Sequence, residues 1–125
     1  MARHLLVYCA GAYSASDVIT ALGNVRRGLS MSYNVLMSGH YPYVPWSDLL
    51  LHLMGSISID TCYEWSLAFL EKCDCVLVNP VRAKESIGTQ REIAIAMQLG
   101  IPVFYRLSDL ELYARNLTEE TNDDA

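Results

Sequence analysis

Positive charge is scarce in this chain: nine Lys and Arg stand against fourteen Asp and Glu, a formal net charge of −5 over 125 residues. That balance excludes the basic footprint by which proteins hold polymeric nucleic acid or an anionic membrane surface. Any nucleic-acid-like ligand is therefore expected to be small. Long apolar runs are lacking too. The longest uncharged apolar stretch, LLLHLMGSISI from Leu49 to Ile59, contains a histidine and falls well short of the roughly 20 residues that cross a bilayer. No C-x-x-C pair occurs among Cys9, Cys62, Cys73 and Cys75, and MARH passes directly into a strand-like LLVY with no signal-peptide pattern before it. A reducing, cytoplasmic setting with free, buried cysteines is the expectation. Cys73-Asp74-Cys75 has no His or Cys partners close by, which argues against a zinc site. Neither metal nor cofactor is expected. Internal repeats and low-complexity segments are absent from the sequence.

What is present is a 52% hydrophobic, 18% charged chain of a length that suits one domain with a single core. Leu5 to Tyr8 reads as a buried strand, followed by the loop Cys9-Ala10-Gly11. Ser16 or Asp17 then offers a cap to a long helix carrying Val18, Leu22, Val25, Leu29 and Leu36 at helical spacing and ending near Gly39. His40 to Val44, broken by Pro42, reads as an edge or irregular strand. Pro45 to Ile59 has no clear period and reads as a loop with a short helix. A second helix is expected over Asp60 to Cys73, a strand over Cys75 to Val78, a polar loop from Asn79 to Gly88 and a third helix from Thr89 to Leu99. A strand over Pro102 to Tyr105 and a short helix over Ser108 to Arg115 complete the domain, taken as residues 1–117, with 118–125 as a flexible acidic tail. Alternating strands and helices predict a Rossmann-like (flavodoxin-like) α/β three-layer sandwich around a four- or five-stranded, mainly parallel sheet.

Such sheets bind ligands beyond the carboxyl ends of their strands, where the strand order reverses. The loops after Tyr8 and after Val78 qualify, and if their strands are neighbours, Tyr8 and Glu92 converge. The stretch SIGTQRE, Ser86 to Glu92, has two readings. Thr89 and Glu92 have the T-x-x-E spacing of a capping box, which needs no function. Alternatively, Glu92 is a nucleophile at the mouth of the sheet, with Ser86, Gly88 and the start of the third helix as donors for a phosphate or carboxylate. Tyr8 alone is more simply a core aromatic, and Gly11 alone marks a tight turn.

The run WSLAFLEKCDCVLVNPVRAKESIGTQREIAIAMQLGIPVFY, Trp65 to Tyr105, resembles the C-terminal half of nucleoside 2-deoxyribosyltransferase-like proteins, especially a compact phage and bacterial branch. VYCAGAYSA, Asn24 and GHYPYVP are similar to that group's opening half, so the resemblance covers roughly residues 5–110. It implies cleavage of the N-glycosidic bond of a (deoxy)nucleoside or nucleoside 5'-monophosphate, with Glu92 attacking the anomeric carbon and Tyr8 orienting that carboxylate. It also implies phosphate contacts at Ser86 and in the loop of Gly11 and Ser14, where Ala12 and Ser14 replace the serine and arginine of nucleotide-preferring relatives. Relatives carry an aspartate eight residues before the C-D pair; Ser66 stands there in this chain. Glu64, two residues earlier, is turned by roughly 200° on a helix, so Ser66 and Glu64 are the candidates for the acid partner's place.

Two classes of function follow: an N-glycosidase or deoxyribosyltransferase, and a catalytically weak nucleotide-binding module on the same fold. A third reading, an NAD glycohydrolase-like enzyme, also uses a helix glutamate. The expected partners are a nucleoside or nucleotide and a second copy of the chain. The latter rests on the apolar excess of Trp46, Leu49, Leu50, Leu51, Leu53 and Met54, and the resemblance implies sites completed across subunits.

Overall fold

The computed structural model describes residues 3–123, the side chains of Leu49 and of residues 121–123 excepted. Its sheet has four strands, β1 (Leu6–Ala10), β2 (Tyr41–Tyr43), β3 (Cys75–Val78) and β4 (Val103–Phe104), in the order β2-β1-β3-β4. All neighbours are parallel, with Tyr8 opposite both Tyr43 and Val76. Pro42 sits on the edge strand, where a missing N–H leaves no ladder bond unmade. The architecture is the expected Rossmann-like α/β arrangement.

The period of two in β1 and β3 divides the core. Leu5, Val7, Cys9, Cys75 and Leu77 pack on one face with Val35 of α1 (Val18–Met37) and with Leu110 and Ala114 of α4 (Leu107–Asp123). Tyr8, Ala10, Val76 and Val78 point to the other face, against Leu70 of α2 (Ile59–Leu70) and Ile93 and Ala96 of α3 (Ile87–Gln98). Cys73 packs on the α2/α3 side and Cys75 on the α1/α4 side, so the two thiols enter opposite cores. All four cysteines are free. Asp74 joins the elements: its carboxylate accepts from the Leu6 N–H at 2.8 Å and pairs with Arg3 at 3.6 Å.

Helix α1 departs from its sequence pattern. Asp17 caps it, accepting from the Thr20 N–H at 2.8 Å. Its buried face, however, is Asn24, Gly28, Ser32 and Val35; of the expected stripe, Val25 is half-buried against the core, while Val18, Leu22, Leu29 and Leu36 are exposed. The reason is Trp46. This residue belongs to the core rather than to an exposed patch, and its indole occupies the space over α1, so that a Cβ on Gly28 would overlap the ring. Small and polar residues face inward because the bulk comes from elsewhere. Trp46 opens a 3-10 segment, Pro45–Leu53, within the stretch that lacked a period. Helix α4 runs past the expected Arg115 to Asp123, so the segment taken as tail is helical from 118 to 123; residues 124 and 125 lie outside the described residues. Among the described residues no helix is long and apolar enough to cross a membrane.

Candidate active site

The chain runs from β1 outward to β2 and then returns to place β3 on the other side of β1. The reversal between β1 and β3 is where a parallel sheet opens a crevice at its carboxyl end. A cavity of about 710 Å3 lies there, walled by the loop after β1, the Pro45–Leu53 segment, the exposed edge of α2 and the start of α3. Its size is that of a small-molecule site.

The start of α3 resolves the double reading of SIGTQRE. Ser86, with extended backbone, is the N-cap: its Oγ accepts from the Thr89 N–H at 3.2 Å and from the Thr89 hydroxyl at 2.8 Å. Thr89 is buried inside the first turn, and the capping-box reading of Thr89 and Glu92 is overturned. Ser86 has the same three-residue spacing to Thr89 that Thr89 has to Glu92, and serine caps slightly better than threonine. Glu92 then lies six residues past the cap, beyond the four orphan N–H groups of a helix start. Its carboxyl faces the cavity instead.

Glu92 is partly buried, and its carboxyl is pushed up from 4.5 to about 8 by burial, against the lowering effect of Tyr8, with the charge of Asp48 adding to the rise. Tyr8 is fully buried in the middle of β1 on the α2/α3 face, and it does not itself line the cavity. Burial first, and the charge of Glu92 second, raise its phenol well above the usual tyrosine range. The Tyr8 hydroxyl makes no hydrogen bond of regular geometry, although Glu92 and Ser66 both lie close enough to shift its ionisation. Its ring stands 5.3 Å from that of Tyr43, which stacks on Phe69 at 4.4 Å.

Gly11, Ser14, Ser66, Ser86 and Gly88 all line the cavity with Glu92. Gly11 has a packing reason for its identity: a Cβ there would lie 2.9 Å from Trp46. Gly88 has none, since its nearest neighbour would be Tyr63 at 3.9 Å. Glu64 is exposed on α2 and outside the cavity wall, so it does not share the place of Ser66.

No family model and no curated protein matches this chain. The site therefore stands on its own geometry.

One residue of the cavity wall escaped sequence reading: Asp48, which is buried there. Its carboxyl is raised by burial, with His52 opposing. It lies in the segment without a period, and its only signal is an acidic residue two positions from a tryptophan. The charge of Asp48 reaches Glu92 and adds to its rise, so a second buried carboxyl stands at the cavity.

Proposed function

We propose that this protein cleaves the N-glycosidic bond of a (deoxy)nucleoside or nucleoside 5'-monophosphate, by hydrolysis or base exchange, with Glu92 as the nucleophile. The observation that carries the reading is a carboxyl with no capping duty, held in a cavity of small-molecule size at the strand-order reversal, beside a buried tyrosine. A carboxylate there supplies both the attacking atom and the negative charge that an oxocarbenium-like carbon requires. The resemblance of residues 5–110 to nucleoside 2-deoxyribosyltransferase-like proteins supports the same chemistry. At the start of the helix that carries Glu92, the Ser86 Oγ accepts two hydrogen bonds and keeps its own proton to donate, next to the N–H groups of the first turn. This suits a 5'-phosphate.

A second reading, a nucleotide-binding module with little turnover, is favoured by Ser66, a hydroxyl where relatives carry an acid. Incubation with mixed nucleosides and monophosphates separates them. Released base indicates a hydrolase, exchanged base a transferase, and a saturable thermal shift without product the binding module. Nicotinamide release from NAD marks the glycohydrolase alternative. The proposed assembly is a homo-oligomer, with the exposed α1 stripe Val18, Leu22, Leu29 and Leu36 against a second copy, alongside exposed Leu50, Leu51, Leu53 and Met54.

A further inference from the structure

We propose that Asp48 is the second catalytic carboxyl of this site, the group that gives its proton to the departing base when Glu92 takes the sugar. This rests on the glycosyl-transfer reading of Glu92 and supplies what that reading lacks, an acid for the leaving group.

The assignment follows by comparing the acids around the cavity, which are Asp17, Asp48, Glu85 and Glu92. Asp17 is committed to the start of α1, where its two oxygens accept from the N–H and hydroxyl of Thr20, both at 2.8 Å. Those bonds hold it below the usual carboxylate range, as an anion. Glu85 is exposed to solvent. Asp48 is 9% exposed, and its Oδ1 has no hydrogen-bond partner. A buried carboxyl oxygen left unpaired is costly, and the residue that holds this one lines the cavity wall, where a ligand can supply the missing partner. The Tyr43 hydroxyl, also unpartnered, and that of Tyr8 are buried in the same region. Ser66 cannot take the role, because an alcohol is a far weaker acid than a carboxyl.

The segment holding Asp48 is fixed rather than loose. Trp46, two residues before it, is buried and donates its indole N–H to the Ala12 carbonyl at 3.3 Å. Two carboxyls in one partly dry cavity do not both ionise readily and behave as a pair sharing a proton. Burial raises both, Glu92 to about 8. Because the charge of Asp48 adds to the rise at Glu92, the shared proton rests on Glu92, and attack uses the form reached when that proton passes to Asp48 and leaves the charge on Glu92. A Glu92 oxygen bonds to the anomeric carbon as the carbon–nitrogen bond breaks. Its electron pair moves onto the base, and the Asp48 proton transfers to a base nitrogen, so a neutral base departs. In the second half, the Asp48 carboxylate takes a proton from the attacking water or incoming base, Glu92 leaves as a carboxylate, and the singly protonated pair is restored. This is the exchange of acid and base roles that paired carboxyls perform in retaining glycoside cleavage.

The test compares wild type with Asp48→Asn on deoxyguanosine 5'-monophosphate and its N7-methylated counterpart. The methylated base is already cationic and leaves without a proton. The expected result is a loss of guanine release on the order of a hundredfold, as for a general acid, with 7-methylguanine release reduced less than about tenfold. Equal losses on both substrates, or no loss on either, overturn the assignment while leaving Glu92 as the nucleophile. Absence of base release by wild type from these substrates and from the mixed nucleosides and monophosphates overturns the glycosyl-transfer reading itself, and Asp48 with it. A thermal midpoint checks that the variant is folded. If Asp48→Asn does not fold, Asp48→Ala with added formate reads the same role, recovery of guanine release being expected and its absence overturning the proposal.

Discussion

Glutamine matches glutamate in volume but carries neither its charge nor its nucleophilicity, so Glu92→Gln isolates what the carboxylate does. Base release should fall by on the order of a hundredfold or more. Stability carries a second signature. The folded-state value of Glu92 is raised to about 8, above an ordinary 4.5, so between those values the folded state holds a proton that the unfolded state has released. Wild-type stability should therefore decline as pH rises from about 4.5 to about 8, by at most a few kcal/mol given the partial exposure of the side chain. In Glu92→Gln the decline should be shallower, as denaturant titrations at several pH values will show. A variant with wild-type turnover would end the nucleophile reading. Tyr8→Phe removes a buried hydroxyl with no regular partner, so stability should stay within about 1 kcal/mol of wild type. Turnover should nonetheless drop by on the order of tenfold, since a hydroxyl that steadies the Glu92 charge is lost.

Among the elements, the Pro45–Leu53 segment decides the cavity's chemistry, and its anchor is the fit of Trp46 against α1 and Gly11. Gly28→Ala presses a methyl group into the face of the indole, 2.3 Å from its nearest carbons. Overpacking of this kind is destabilising by about 1–3 kcal/mol, here measured as a lower denaturation midpoint. Since the displaced ring carries the segment with Asp48, the folded variant should also lose turnover, with altered near-ultraviolet circular dichroism reporting the tryptophan. Gly23→Ala, on the same helix with only the end of the Arg27 side chain at 3.7 Å, serves as the control and should be neutral or slightly stabilising. An unchanged midpoint in Gly28→Ala would mean that the segment moves freely over α1.

At the scale of the whole molecule, the unusual feature is the reversal of α1. The face with helical apolar spacing is turned outward, with Val18 at 73% and Leu22 at 54% exposure, and small and polar residues line the core side. Exposed apolar stripes of this size mark interfaces more often than free surface. Light scattering at micromolar concentration should report at least a dimer, and Leu22→Glu with Leu29→Lys should shift it to monomer while changing the unfolding of the isolated domain little. A wild-type monomer would leave the stripe without a partner and count against the assembly.

Much of this protein was decided by its local sequence. The strands around Tyr8 and Val76 are short apolar runs bounded by turns, Asp17 and Ser86 have the side chains that caps require, and Pro42 belongs on an edge; each follows from chemistry within a few residues. The loops that meet at the site were legible because parallel sheets open at their carboxyl ends, and Glu92, Ser66, Ser86 and Gly11 do share one cavity. Other features depended on contacts distant in the chain. Periodicity identifies an apolar face but not what lies against it, and the indole of Trp46 over Gly28 turned the α1 stripe outward. The spacing of Thr89 and Glu92 reads as a capping box, and only the extended backbone at Ser86 moves the cap three residues earlier and releases Glu92 from that duty. Asp48 belongs to no motif, and only the packing of its segment against α1 and the loop after β1 makes it the second carboxyl in the cavity.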